Sequence, residues 1–496
     1  MQNVIAAVDL GSNSFRLQVG RIVDDQIYAF DGLKEPVQLA AGLSADKCLS
    51  DEACQRGVAA LRLFHERLAG FSPEAVRAVA TNTLRVAKNA ESFLHEAEKA
   101  LGFPIEVIGG HEEARLIYVG VSHALPNPYC QQLIVDIGGG STEFIIGKSF
   151  EPILLDSLYM GCVSYSLRYF SGGKISKRSF MEAELAARQE LQSIVHDYRE
   201  AGWDVAVGSS GTAKALQEIL AENGLSADGM TLDGLERLRK IFIRAASVEG
   251  ANLNGLKSDR VPVILGGLAI MLAVFREFGL RRMAFSEGAL RLGVLYDLLG
   301  RTCRKDMRDA TVDAFMDRYR VNARHAGQVA DTACSLFAQF GAATEPSGMD
   351  RRFLRWAALL HEIGISVAHA GYHKHSAYIL ANADMPGFSR MDQTRLSKLV
   401  LAHRGKLERL SDIDPSSPDW QLIVCLRLAV VIHRARDDRG VPNIALTQTK
   451  RGFIVETPAG WLQALPLTAA AFEEERLQWR SVGRVLTVRP RLPFAA

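Results

Sequence analysis

One motif occurs twice in this chain at a fixed spacing. Val8-Asp9-Leu10-Gly11-Ser12-Asn13-Ser14-Phe15 and Val135-Asp136-Ile137-Gly138-Gly139-Gly140-Ser141-Thr142 align with a constant offset of 127 residues. Each copy ends a β-rich run, Val4–Val8 or Leu133–Val135, and leads into another, Phe15–Val19 or Phe144–Ile146. Gly20 and Gly147 close the second runs at the same offset. Both copies predict a β-hairpin with a Gly/Ser-rich turn and an aspartate at the end of its first strand. A duplicated pair of α/β domains with a cleft between them follows.

The rest of the pattern fits that frame. Helices are expected over Asp51–Leu68, Ala90–Ala100, Glu112–Val121, Ser179–Tyr198, Thr212–Leu220, Gly266–Phe278 and Gly288–Leu299, with strands at Val76–Ala80, Ile105–Ile108 and Val205–Val207. From about residue 304 the period becomes helical, over Asp309–Phe340, Arg351–His361, His375–Ala383 and Gln393–His403. Ile444–Val488 returns to short alternating runs. The expected division is 1–124 and 125–303 for the two α/β domains, 304–440 for a helical domain and 441–496 for a small α+β domain. A chain of 496 residues is long enough for three or four domains.

Composition excludes several classes. No apolar run reaches the ~18 residues of a membrane span, and the amino-terminal stretch lacks the cationic region of a signal peptide. Seven scattered cysteines without a C-x-x-C pair suit a reducing compartment and argue against a disulfide framework or a cysteine zinc site. The cytoplasm is the expected location. Residues 304–496 carry 27 Lys and Arg against 20 Asp and Glu, while 1–303 carry 31 against 36. That imbalance suits a polyanionic partner but is also within ordinary surface composition.

Closely spaced Gly and Ser let backbone N–H groups approach phosphate oxygens. Gly11, Ser12, Asn13 and Ser14, with Gly138, Gly139, Gly140, Ser141 and Thr142, are therefore candidate phosphate ligands. An aspartate beside bare phosphate would repel it, so Asp9 and Asp136 make sense with a divalent cation between carboxylate and phosphate. Glu143 would reach that cation through water, or is an ordinary strand residue. Arg85, at a strand-to-helix junction after Thr81 and Thr83, is a further phosphate candidate. Glu112 and Glu113 open a helix after Gly109-Gly110. Either they favour the helix dipole, or one is the base that activates a water. Gly208-Ser209-Ser210-Gly211-Thr212 is a third turn, with Gly211 able to meet phosphate at a helix start, or merely a connection. Ser286-Glu287-Gly288-Ala289-Leu290-Arg291 carries the same ambiguity.

In the helical part, His325, His361-Glu362 and His403 are spaced like the HD metal-dependent phosphohydrolase pattern. Glu362 stands where that pattern has Asp, and Leu426–Val431 supplies no distal Asp, so active metal chemistry is not expected there. His373, Lys374, His375, Arg404 and Lys406 read instead as basic groups along a polyphosphate passage, or as a solvated surface.

The two loops, with Ala80-Thr81-Asn82-Thr83-Leu84-Arg85 and Glu112-Glu113-Ala114-Arg115-Leu116-Ile117, closely resemble the exopolyphosphatase / guanosine pentaphosphate phosphohydrolase family. The resemblance continues through Met160–Val163 and Gly288–Arg291 to Leu360-His361-Glu362-Ile363-Gly364. It implies a duplicated ribonuclease-H-like fold of the actin, sugar-kinase and heat-shock ATPase type, followed by an HD-like helical domain without its metal chemistry and a small fourth domain. It matches Glu113 to the catalytic glutamate. Asp136, Gly138, Ser141 and Glu143, with Asp9, Ser12, Asn13, Ser14 and Arg85, match the magnesium and phosphate contacts. It also implies a homodimer.

Gly140 and Gly371–Tyr378 look like the exopolyphosphatase branch, whereas Leu292 departs from the usual Glu. The expected activity is magnesium-dependent, processive removal of terminal phosphate from inorganic polyphosphate. The alternatives are a guanosine pentaphosphate 5′-phosphohydrolase, or a non-catalytic polyphosphate or nucleotide sensor. Nucleic acid is not an expected partner.

Overall fold

The computed structural model describes residues 4–23, 26–125, 129–171, 175–302, 306–341, 348–410, 413–436 and 441–491. The chain forms two compact units, 1–307 and 308–496. The expected domain edge at 303/304 falls on residues outside the described set, as does Cys303, and that at 440/441 falls where the described residues resume. None of the six described cysteines forms a disulfide. Among the described residues no helix is long and apolar enough to cross a membrane.

The duplication read from sequence is a duplication of sheets. Strands β1 (Val4–Leu10), β2 (Phe15–Val23), β3 (Gln26–Glu35), β4 (Val76–Ala80) and β5 (Ile105–Val107) lie in the order β3-β2-β1-β4-β5. The second sheet contains β6 (Gln132–Ile137), β7 (Thr142–Lys148), β8 (Glu151–Leu158), β9 (Val205–Ser209), β10 (Met230–Thr231) and β11 (Arg282–Phe285), in the order β10-β11-β9-β6-β7-β8. The first three strands of each half pair antiparallel; β4 and β5 in one half, and β9 and β11 in the other, then join in parallel, with β10 antiparallel at the edge. Even the irregularities repeat: the register shifts at Val19/Gly20 in one half and at Ile146/Gly147 in the other.

Helices α1 (Asp51–Arg67), α2 (Asn82–Val86), α3 (Ala90–Leu101) and α4 (Gly110–Ala124) belong to the first half. The second half adds α5 (Cys162–Tyr169), α6 (Lys177–Leu191), α7 (Val195–Ala201), α8 (Ser210–Glu222), α9 (Leu232–Ala245), α10 (Ile264–Phe278) and α11 (Leu290–Thr302). The single helix expected over Ser179–Tyr198 is two. The Ser193 hydroxyl donates to Glu190 O at 2.8 Å, a local bond that competes with the helical ladder where the chain turns.

Period-two alternation decides which way each strand faces. Ala6, Val8 and Leu10 enter the core of the first half with Phe15, Leu17 and Phe64. Ile5 and Ala7 enter a separate middle core, which also takes Ile134 of β6, Leu116, Ile117 and Val121 of α4, and Val294 and Leu295 of α11. Asp9 continues the Ile5/Ala7 face and Asp136 continues the Ile134 face. Both aspartates therefore end their strands facing the middle layer, from opposite sides.

Helices α4 and α11 fill that layer at backbone contact. A Cβ built on Gly293 would overlap the Leu116 carbonyl, and one on Gly120 would overlap that of Ala289. A buried ionic network fixes the same pair: Arg77 of β4 and Arg115 of α4 both reach Asp297 of α11, at 2.8 and 2.5 Å.

The second unit holds α12 (Met307–Arg318), α13 (Ala323–Ala338), α14 (Met349–Leu360), α15 (Tyr372–Asn382), α16 (Arg390–Ala402), α17 (Asp419–Ile432), α18 (Trp461–Ala464) and α19 (Pro466–Ser481), with a sheet of β12 (Ala445–Thr449), β13 (Gly452–Thr457) and β14 (Val485–Pro490). The helix expected over Asp309–Phe340 is broken at 319–322. Arg320 takes φ 53°, and Asn322 caps the new helix by accepting from His325 N at 3.0 Å. Phe453, Val455, Trp479 and Leu486 share one core with the helical residues Trp356, Ile423 and Leu426.

The α4/α11 contact leaves no room for a methyl group backed by main chain. Gly293→Ala is expected to lower stability by ~1–3 kcal/mol or more through overpacking, measured as a downward shift of the denaturant midpoint.

Candidate active site

Both repeated loops are built to turn their amides inward. In the first, Ser12 O accepts from Ala40 N at 2.9 Å and Asn13 O from Gln38 N at 2.8 Å. In the second, Gly138 O accepts from Cys162 N and Gly139 O from Val163 N, each at 2.9 Å, at the start of α5. Carbonyl oxygens are thus satisfied on the outer side of each loop. Among the described residues, nothing accepts from the amides of Ser12, Asn13, Gly139 and Gly140. Unpaired amides from two loops at one place form an anion-binding concavity.

The loops meet each other. A Cβ on Gly139 would lie 2.8 Å from Ser12 Cβ and 3.5 Å from Asn13 N, so only glycine permits this approach. Thr83 holds the first loop by donating its hydroxyl to Ser12 Oγ at 2.8 Å. Asn82 lies against Gly140, and its buried Nδ2 has no hydrogen-bond partner.

A cavity of about 540 Å³ opens on this junction. Asp9, Gly11, Ser12, Asn13, Ser14, Glu113, Asp136, Gly138, Gly139, Ser141 and Gly211 line it, so eleven of the residues singled out from sequence come together. Gly211 stands in the first turn of α8, whose positive end faces the cavity. Four others stand back from the lining. Gly140 packs on Asn82. Arg85 donates to Glu113 Oε2 at 2.8 Å and to Ile108 O at 3.0 Å. Glu143 is buried and accepts from Ser157 Oγ at 2.8 Å. Thr142 is fully buried in β7 and gives its hydroxyl to Met160 O, away from the loop amides. His373, Lys374, His375, Arg404 and Lys406 lie in the second unit. There His373 is buried with Arg409 on its Nε2, and burial pushes its pKa down to about 4, so it is uncharged at neutral pH.

The structure separates the two adjacent glutamates of α4. Glu112 is tied up by Arg115 at 2.7 Å in the buried network. Glu113 faces the cavity. Its pKa is pushed up to about 7 by burial, against the opposing charge of Arg85 and with help from Asp9 and Asp136. Asp9 is raised by burial against Arg291 and Arg16. Asp136 is raised by burial against hydroxyl bonds from Ser209 and Ser210. Glu143 is held well above the carboxylate range by burial, then by Glu113 and Asp136. A candidate base near neutrality beside three other buried carboxylates is the pattern of a catalytic cleft.

Strand register tests whether a cation fits. In the first half Asp9 lies opposite Arg16, an attractive pair; in the second, at the same offset, Asp136 lies opposite Glu143. Like charges directly opposed across a sheet are destabilising unless something positive joins them. Asp9 Oδ1 is also buried without a partner. The donors are hard oxygens, suited to magnesium, which takes one or two protein carboxylates and completes its shell with water and phosphate. Asp9, Asp136 and Glu143 do not converge as a closed trio. Among the described residues the trio whose donor atoms lie within 4.8 Å of one another is His325, His361 and Glu362, in the second unit.

Two residues escaped the sequence reading, Arg16 and Arg260, while Asn82, Ser209 and Arg291 stood in its motifs without a role of their own. Ser209 donates to Asp136 Oδ2 at 2.5 Å, and Arg291 lies 3.7 Å from Asp9. Arg260 packs on Gly211. Arg16 was within reach of the repeat itself, since it stands at the offset partner of Glu143.

Known proteins resemble this chain in sequence and in fold. Residues 18–302 match the Ppx/GppA phosphatase family and residues 307–476 match Ppx/GppA phosphatase, domain III. A guanosine-5′-triphosphate,3′-diphosphate pyrophosphatase of Pseudoalteromonas translucida is 38% identical over 491 residues, 98% of each chain. The crystal structure of an exopolyphosphatase from Cytophaga hutchinsonii superposes with a TM-score of 0.55 at 25% identity, covering 60% of this chain and 98% of that one. The Aquifex aeolicus Ppx/GppA enzyme gives 0.50 at 26% identity, covering 59% and 98%. The duplicated ribonuclease-H-like fold expected from sequence is the fold of these structures.

Glutamine imitates a protonated carboxyl, which gives a sign to the burial of Glu143. In the unfolded chain Glu143 ionises near pH 4.5, while the folded protein keeps its proton to higher pH. Stability from this group is therefore full below pH 4.5 and is lost as pH rises through its folded value. Without divalent cations, Glu143→Gln is expected to match the wild type near pH 4.5. It should become more stable above that, by ~1.4 kcal/mol for each unit of displacement, in thermal melts across pH.

Proposed function

The chain belongs to the Ppx/GppA phosphatase family, and from that premise we propose that it hydrolyses the terminal phosphoanhydride of inorganic polyphosphate at the cavity between the two loops. The observation that carries the proposal is the position of Glu113: buried, facing paired phosphate-gripping loops, with a pKa near neutrality.

In this reading the free amides of Ser12, Asn13 and Gly139 hold the terminal phosphoryl group, and the hydroxyls of Ser12, Ser14 and Ser141 lie beside them. Amide donors fixed before the reaction need no reorganisation as charge shifts toward the leaving oxygen. Asp136 and Glu143, with Asp9 across the cleft, would hold magnesium, whose charge neutralises phosphate oxygens. Glu113 accepts the proton of the attacking water, orthophosphate departs, and the shortened chain keeps the leaving oxygen. Arg85, bonded to Glu113 Oε2, acts on phosphate through the glutamate, by fixing its carboxyl and keeping part of it ionised.

A second reading is favoured by the 38% identical relative, a guanosine-5′-triphosphate,3′-diphosphate pyrophosphatase: this chain would then remove the 5′-terminal phosphate of that nucleotide. The chemistry is shared, and the cavity of about 540 Å³ has apolar wall at Phe285 and Leu290 for more than phosphate. Initial rates of phosphate release from long-chain polyphosphate and from the guanosine nucleotide, each against the other as competitor, decide between them. A kcat/KM higher for the nucleotide would give it first place.

Glu113→Gln is expected to lower kcat by ~10²–10⁴-fold while leaving KM little changed. Because the carboxylate is the active form, kcat/KM of the wild type should climb with pH and level off above about 7. Near-normal turnover of the variant, or a rate falling with pH over that range, would remove Glu113 from the role.

A further inference from the structure

The second unit holds a cluster of donors with no part in the reaction above. His325 lies in the first turn of α13, His361 and Glu362 follow α14, and His403 follows α16. All four line one cavity of about 380 Å³.

Hydrogen bonds fix the imidazole tautomers. Nδ1 of His361 lies 2.6 Å from Ala358 O, and Nδ1 of His403 lies 2.5 Å from Val400 O. A carbonyl only accepts, so both Nδ1 atoms carry the proton; Nε2 of His361 presents a lone pair, and that of His403 accepts from the Tyr372 hydroxyl at 3.4 Å. A backbone carbonyl behind the imidazole is how proteins orient a histidine toward a metal. Nε2 of His361 stands 3.8 Å from Glu362 Oε1, and Nε2 of His325 stands 3.9 Å from the same oxygen. His325 is buried, and its Nδ1 has no hydrogen-bond partner. Burial pushes both His325 and His361 down to about 4, so their rings are neutral near pH 7.

The lone pair of His361 Nε2 thus faces the Glu362 carboxylate across a gap, and the positive charge now on Glu362 Oε1 is the guanidinium of Arg436. The Arg436 side chain is 47% exposed, so it can withdraw into solvent. Ligands about a tetrahedral ion with ~2.0–2.1 Å bonds sit roughly 3.3 Å apart, about half an ångström closer than here.

We propose that His325 Nε2, His361 Nε2 and Glu362 Oε1 form a binding site for a borderline divalent cation, zinc above all, with His403 as the neighbouring imidazole. Two nitrogens and one carboxylate oxygen suit zinc and disfavour magnesium. The ion would displace Arg436 from Glu362 and join the ends of α13 and α14. Aspartate is absent from Leu426–Val431, where Arg427 instead binds Glu475 and the carbonyls of Ala402 and Gly405. The site therefore binds a metal without the second aspartate expected of an HD phosphohydrolase, and no hydrolysis is assigned to it.

The test is zinc titration of full-length protein stripped by chelator, followed with a chromophoric competitor and by thermal melting. One zinc per chain with a raised melting temperature is expected, weakened ~10–100-fold by Glu362→Gln and by His361→Ala. Arg436→Gln should bind more tightly than the wild type, a gain that misfolding cannot produce. No stoichiometric uptake overturns the proposal. So does uptake indifferent to both Glu362→Gln and Arg436→Gln.

Discussion

The cleft depends on where the two loops put their carbonyl groups. A tight turn between strands has as many acceptors as donors, and an even mixture would bind neither ion. Here Gln38 and Ala40 take the carbonyls of the first loop, and Cys162 and Val163 take those of the second. Among the described residues, the amides of Ser12, Asn13 and Gly139 are left without a partner beside the cavity. The capping amides come from separate elements, a 3-10 turn in one half and a helix start in the other. The two halves thus reach the same electrostatic result by different local means. The approach of Gly139 to Ser12 then brings both sets of donors to one point.

Around those donors the duplicated halves diverge in charge. The position opposite the strand-end aspartate is Arg16 in one sheet and Glu143 in the other. A single exchange of sign at one cross-strand site turns a self-satisfied pair into a pair that asks for a cation. Asp9 keeps two arginines nearby, Arg16 and Arg291, and Asp136 keeps two serine hydroxyls. The first half is therefore better arranged to hold anionic oxygen, and the second to hold a metal. Glu113 stands between them on α4, whose position is set by backbone contact with α11 and by the Arg77–Asp297–Arg115 network.

Much of this was legible in the sequence because the features are local. A hairpin with alternating faces fixes the direction of Asp9 and Asp136 within seven residues, and the 127-residue offset supplies the second copy. What was not legible depends on distant chain. Helical spacing pairs Glu112 with Arg115 at i,i+3, but that Arg85 meets Glu113 and that Asp297 draws Arg115 into the buried network rests on distant chain. Thr142 belongs to the loop by sequence, yet strand pairing turns its hydroxyl to Met160 O. The breaks after Leu191 and Arg318 rest on short-range turn bonds, among them those from Ser193 and to Asn322, which the helical period on either side does not reveal. His373, read as a cation, is neutral because the fold buries it next to Arg409.

Substrate choice belongs to the rim, where the charges are paired among themselves. Lys34 meets Asp259, Lys257 meets Glu218 at 2.8 Å, and Lys214 meets Glu287 at 3.2 Å, all of them lining the cavity. Exposed pairs of this kind contribute ~0–1 kcal/mol each, so a polyanion can draw the lysines away from their acids at small cost. Within the cleft the balance differs. Buried carboxylates there repel phosphate strongly unless neutralised, and the loop amides cannot do that alone. A phosphate chain entering this unit would therefore be gathered by interchangeable lysines and discriminated only at its last phosphoryl group. An added base and ribose would have to take their selectivity from the apolar wall at Phe285 and Leu290. In the proposed reading the chemistry would be set by the duplicated loops, and the identity of what arrives there by side chains that the duplication did not copy.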